Sequence, residues 1–220
     1  MNRHLRTQQH VPEFTADFRA QLLELFKWRR DVRQFKPDPL PQGTFERLLG
    51  IASLAPSVGL SEPWRFVVVD SEARREAIRE CFNTCNKHAL AGYSGERAAL
   101  YAKLKLEGLG DAPCQFVLFA EPATAQGHGL GRQTMPVTIE YSAVAAVTVL
   151  WLAARAEGIG MGWVSILEPA EVTRILDVPP DWTMIGYFCL GYPKADSPTP
   201  TLEADGWECR TDSSAAIVRR

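Results

Sequence analysis

Two apolar periods alternate along this chain. Phe18, Leu22, Leu25 and Phe26 recur at steps of three and four, which predicts an amphipathic helix that runs to about Trp28 and buries that face. Phe45, Leu48, Leu49 and Ala52 predict a second helix, stopped at Ala55-Pro56 because the residue before a proline avoids helical backbone. Residues 64–70, 114–120, 161–167 and 184–190 are nearly continuous apolar runs, as expected of strands buried on both faces. Ser71 can cap a helix whose inner face is Ala73, Ala77, Ile78 and Phe82. Residues 139–157 are apolar almost all round, with Ala143, Ala146 and Ala154 permitting close approach, which describes a helix buried in the middle of a fold or a dimer. Pro169 opens a short helix that ends near Asp177.

The segments between these elements predict how one domain is arranged. Residues 1–13 are polar and aperiodic, a mobile arm. Residues 84–111 carry glycines around a helix-like middle at 96–106 and read as an insertion of the kind that forms lids. Residues 193–220 are rich in proline, threonine and aspartate but hold Leu202 and Trp207, so this extension is expected to clasp a partner subunit.

Composition narrows the classes of function. With 220 residues and 46% hydrophobic positions, a single core is the default. Lysines and arginines number 24 against 26 acids, a net charge of −2, so no global basic field recruits nucleic acid or an anionic membrane. The longest apolar run, residues 143–154, is shorter than the roughly 20 residues of a membrane span, and the N-terminus lacks a signal core, so a cytoplasmic protein without a membrane role is expected. Five cysteines show no paired spacing and read as reduced thiols, and the four scattered histidines predict no bound metal.

Three features can carry chemistry. Arg29-Arg30-Asp31-Val32-Arg33 sets three guanidiniums and a carboxylate at the C-terminal end of the first helix, where cations are favoured and guanidinium forks match phosphate oxygens. A solvated charge run with Asp31 as local counter-ion is the plain alternative. The small residues Ser57, Gly59 and Ser61 at a helix-to-strand junction would let a ligand approach the backbone, or make a tight connection only. Ser165 is the lone hydroxyl in the predicted third strand, where a buried hydroxyl needs a partner, most often backbone. Gly127-His128-Gly129-Leu130-Gly131 lacks dinucleotide-binding spacing and reads as a loop.

Several blocks taken in order resemble one family: Arg29-Arg30-Asp31-Val32-Arg33-Gln34-Phe35, then Ala55 through Trp64, Tyr93-Ser94-Gly95-Glu96-Arg97, and Leu104-Lys105-Leu106-Glu107-Gly108. Gly131 through Pro136, Trp151-Leu152-Ala153-Ala154-Arg155 and Gly162-Trp163-Val164-Ser165 continue the series. The chain resembles the 5,6-dimethylbenzimidazole synthases, flavoproteins of nitroreductase-like fold. Asp31 stands where nitroreductases usually carry serine, Leu60 where they carry asparagine, and Glu62 where the synthases usually carry glutamine. The resemblance implies a dimeric three-layer α/β/α fold with a mixed or antiparallel sheet. It implies oxygen-dependent fragmentation of reduced FMN to 5,6-dimethylbenzimidazole, the lower ligand of vitamin B12, and erythrose 4-phosphate. A separate flavin reductase would supply the reduced FMN, and O2 would be the co-substrate.

By the same resemblance, Arg29, Arg30 and Arg33 would hold the phosphate, ribityl chain and pyrimidine edge, with Val32, Ser57, Gly59 and Gly191 also at the flavin. Asp31 would accept the ribityl proton, and Ser165 would orient or relay a proton near the flavin nitrogens. An NAD(P)H-dependent flavin, nitro or corrinoid reductase of the same fold, or a non-enzymatic flavin-binding protein, is the alternative.

Overall fold

The computed structural model describes residues 11–220, and the predicted arm therefore lies mostly outside the described residues. Four strands form one antiparallel sheet: β1 (Trp64–Val68), β2 (Cys114–Ala120), β3 (Gly160–Val164) and β4 (Thr183–Gly191), in the order β1-β2-β4-β3. Among the described residues seven α-helices accompany it: α1 (Ala16–Trp28), α2 (Thr44–Ala52), α3 (Glu72–Ala91), α4 (Gly95–Tyr101), α5 (Thr138–Ala156), α6 (Pro169–Leu176) and α7 (Thr201–Ala204). Successive side chains of a strand point to opposite faces, so β2 sends Phe116, Leu118 and Ala120 towards α2 and α5, and Val117 and Phe119 towards α3 and α6. Both faces are covered, which is why β2 reads as one unbroken apolar run. The expected three layers are present, and the sheet is antiparallel throughout.

α5 is long and apolar enough to cross a membrane by length and composition, yet it packs along the sheet and buries Ala143, Ala146, Val147, Leu150 and Ala154. All five cysteines are free thiols.

Several expectations need correction. The strands at 64–70 and 161–167 stop early, so Ser165 lies just beyond β3 and is exposed rather than buried. α3 runs on through Thr84 to Ala91, because its polar residues there occupy the solvent side and do not end a helix; the insertion therefore begins at Gly92, and its helix α4 is shorter than expected. α1 buries no residue, with Phe18 43% and Phe26 46% exposed, because it meets the body of its own chain mainly through α5. Within the chain, the tail anchor Trp207 packs on Tyr93 and Tyr101.

Candidate active site

The arginine cluster is held by a short fifth strand-like segment beside β3. Asp31 forms a parallel bridge with Met161, and the Val32 amide donates to the Met161 carbonyl at 3.0 Å. β3 can accept that neighbour because it carries Gly160 and Gly162 facing it. A Cβ at Gly160 would stand 2.7 Å from Val32 Cγ2, and one at Gly162 would overlap the Val32 carbonyl oxygen. Farther along, the Lys36 amide donates to Tyr192 O at 2.8 Å and the Lys194 amide to Gln34 O at 3.0 Å, so the segment is tied at both ends. Phe35 between them is fully buried beneath Gly108 and Gly191.

Asp31 uses both carboxylate oxygens. Oδ1 accepts the Trp163 amide at 2.8 Å, and Oδ2 accepts Arg33 Nε at 2.8 Å. Arg33 in turn donates Nη1 to the Lys105 carbonyl at 2.9 Å, which joins the cluster to the segment after α4. The Trp163 contact also brings Asp31 to the end of β3 that Ser165 follows by two residues.

Arg29 and Arg30 follow the last turn of α1, where the Arg29 amide still donates to Leu25 O at 3.0 Å. The Arg29 guanidinium lies 5.0 Å from the centre of the Trp151 ring, and Trp151 Nε1 donates to Arg30 O at 3.3 Å. Burial, followed by the nearby Arg210, depresses the basicity of Arg29; burial, Arg29 and Arg210 do the same to Arg30. Arg30 Nη2 donates to Phe26 O at 3.1 Å, but its Nε is buried without a partner among the described residues. Crowded guanidiniums with an unsatisfied donor suit an oxyanion, because an anion relieves the repulsion and fills the donor at once. A cavity of about 220 Å³ lies here, lined by Arg30, Asp31, Val32, Arg33, Lys105 and the tail from Ala195 to Thr201. A second of about 480 Å³, reaching Lys27 and Arg210, shares Arg30 with it.

The other predicted residues lie elsewhere. Ser57 Oγ accepts the Glu62 amide at 3.2 Å, and Gly59, at φ 59°, faces the Leu130 and Gly127 carbonyls, where a Cβ would come within 2.8 Å of Leu130 O. That loop is thus locked against the Gly127–Gly131 loop, and the glycine's open side is filled by backbone. Neither residue lines the arginine cavities, nor does Ser165. Gly191 is packed against Pro113 and Phe35, where a Cβ would come within 2.6 Å of Pro113 Cδ. Sequence reasoning missed Lys105, Arg210 and the tail as walls of the cavity. The Gly160-x-Gly162 alternation inside a strand was a readable sign of close backbone approach; the tail carried no such sign.

The comparisons with known proteins agree with this architecture. Residues 26–192 match the Nitroreductase family, well over half of the chain. The chain belongs to the nitroreductase family. Within that family it is 54% identical to a 5,6-dimethylbenzimidazole synthase of Rhodospirillum rubrum, over 95% of this chain and 98% of that protein. It is 45% identical to a 5,6-dimethylbenzimidazole synthase of Rhodobacter capsulatus, over 89% of this chain and 94% of that protein. Among solved structures, an iodotyrosine deiodinase bound to FMN and 3-iodo-L-tyrosine superposes with a TM-score of 0.70 at 24% identity, covering 90% of this chain and 97% of that one; at such identity it shows the fold alone.

Proposed function

We propose that this chain fragments reduced FMN with O2 to 5,6-dimethylbenzimidazole and erythrose 4-phosphate, for the lower ligand of vitamin B12. The observation that carries this is the 54% identity with a synthase of that name over nearly the whole of both chains. The arginine cluster supports it, because its unpartnered Arg30 Nε and crowded guanidiniums fit a phosphorylated substrate. Reduced FMN supplies both the electrons for oxygen and the carbon skeleton of the product.

Arg29, Arg30 and Arg33 bind the anionic and polar parts of the flavin, with Val32 at its edge. Asp31, fixed by Arg33 and the Trp163 amide, accepts the proton from the ribityl carbon that enters the new ring. Ser165, beyond the end of β3, places a hydroxyl for proton relay at the flavin nitrogens. Residues 92–111, the part of the predicted insertion that follows α3, cover the site through Lys105 and keep water out.

Ser57 and Gly59 reach the flavin from a second copy of the chain. The unburied α1, with Phe18, Leu23 and Phe26 exposed, Phe14 just before it, and Tyr141 on the outer side of α5 form the dimer contact. The enzyme works in the cytoplasm and draws reduced FMN from a separate flavin reductase.

The test is to give the purified protein reduced FMN and air and to look for 5,6-dimethylbenzimidazole by mass spectrometry. Formation of oxidised FMN and peroxide alone would overturn the reading. NAD(P)H-driven reduction of a nitro compound or corrinoid at enzymatic rates would favour a reductase instead. Sedimentation as a stable monomer at micromolar concentration would remove the dimer.

A further inference from the structure

We infer that residues 194–207 form a strap whose aromatic pin, Trp207, keeps the arginine cavity closed during turnover and times the release of flavin; the inference rests on the proposed flavin chemistry. The strap crosses the cavity, contributing Ala195, Ser197, Thr199 and Thr201 to its wall. Its start is tied by the Lys194 amide, which donates to Gln34 O, and three side-chain contacts hold the rest. Lys194 Nζ meets Asp111 Oδ2 at 2.9 Å, and Arg155 Nη1 meets Asp196 Oδ1 at 2.5 Å. At the far end the Trp207 ring lies 5.5 Å from Tyr93 and 6.0 Å from Tyr101, with the Arg97 guanidinium 4.5 Å over its face. Arg97 Nη1 also donates to the Trp207 carbonyl at 2.9 Å.

The three pins are unequal. In the two ion pairs Lys194, Asp111 and Asp196 are nearly half exposed and only Arg155 is mostly covered, so each pair contributes little. Trp207 combines aromatic edge contacts, a cation over the ring and a hydrogen bond, so it decides whether the strap stays down. Asp111, Arg97, Tyr93 and Tyr101 all belong to residues 92–111, and that same segment contributes Lys105 to the cavity wall, where its carbonyl holds Arg33. The two walls are therefore joined to each other as well as to the body. Tyr101, buried and bonded through its hydroxyl to Asn86 Oδ1 at 2.8 Å, ties this pair to α3. Loss of the Trp207 pin would therefore free the wall that the strap contributes to the cavity.

The test uses the full chain with FMN. Trp207→Leu and Arg97→Gln each weaken the pin from one side, and neither residue lines the arginine cavities. Release of oxidised FMN, followed by stopped-flow flavin fluorescence, should speed up about tenfold in each variant, the factor given by about 1.4 kcal/mol. With reduced FMN and air, product should shift from dimethylbenzimidazole to hydrogen peroxide, as two electrons and two protons pass from flavin to O2 and leave oxidised FMN. The double variant should add little to either single one, because both remove one contact. A lowered melting temperature with wild-type release rate and wild-type ratio of dimethylbenzimidazole to peroxide would reduce Trp207 to a structural anchor and overturn the strap. If the wild type makes no dimethylbenzimidazole, the fragmentation reading fails, and the release rates judge the strap by themselves.

Discussion

Replacing Gly162 by alanine should dismantle the arginine cluster without touching an arginine. The added Cβ would overlap the Val32 carbonyl oxygen, 3.3 Å from Val32 C and 3.5 Å from Asp31 Oδ1, and these neighbours are backbone or a fixed carboxylate that cannot swing aside. Relief requires residues 31–32 to leave β3, which breaks the Val32 amide bond to Met161 O and the Trp163 amide bond to Asp31. A neutral hydrogen bond contributes about 1 kcal/mol and one to a carboxylate about 1.5 to 3, so the loss is about 2.5 to 4 kcal/mol. In a domain of this size that lowers the melting temperature by about 10 °C. Calorimetry and an FMN titration check both parts, with affinity expected to fall more than about tenfold. Gly50→Ala is the control: nothing lies within 4 Å of its would-be Cβ inside α2, so it should be neutral or stabilise by about 0.5 to 1 kcal/mol. If Gly162→Ala melts with the wild type and binds FMN equally well, the pairing of residues 31–32 with β3 does not position the cluster.

Asp31→Asn should keep FMN binding and lose dimethylbenzimidazole formation, at a stability cost of about 1 to 2 kcal/mol from the broken Arg33 bond at a partly exposed site. Full activity would show that Asp31 is not the proton acceptor, whereas loss of binding would make it a brace for the arginines. Ser165→Gly removes an exposed hydroxyl, so stability should change by about 0.5 kcal/mol or less while product formation, assayed by mass, disappears. Burial pushes the Cys114 thiol from 9.0 up to about 11, so its contribution to stability is complete below pH 9 and is lost as pH rises through 11. Burial raises Cys189 and Tyr187 in the same direction. Denaturant midpoints measured from pH 8 to 11 should therefore fall in the wild type, and Cys114→Ala should flatten part of that fall.

The elements were legible because their signals are local. The apolar run of β2, the all-round apolar surface of α5 and the Ser71 cap of α3 each follow from side chains that meet the core wherever the chain goes next. The arginine cluster was legible for the same reason, since three guanidiniums at a helix end attract an anion in any fold that leaves them reachable. Strand and helix ends were less so: the polar residues after Phe82 suggested a break, and only packing on one side of α3 shows that they face solvent.

Tertiary structure alone decided what surrounds the cluster. Asp31 could have been a free base or a counter-ion until Trp163 and Arg33 were seen to occupy its two oxygens. Gly191 and Gly59 each meet a neighbour where a Cβ would stand, Pro113 and Phe35 at the one and Leu130 at the other, which no short stretch of sequence names. The amphipathic pattern of α1 named the face to be covered and could not name the cover, because periodicity records which side is apolar and not which surface meets it. Lys105, Arg210 and the strap pinned by Trp207 are contacts between residues far apart in sequence, set by how the chain returns over itself, and no short window of residues contains that information.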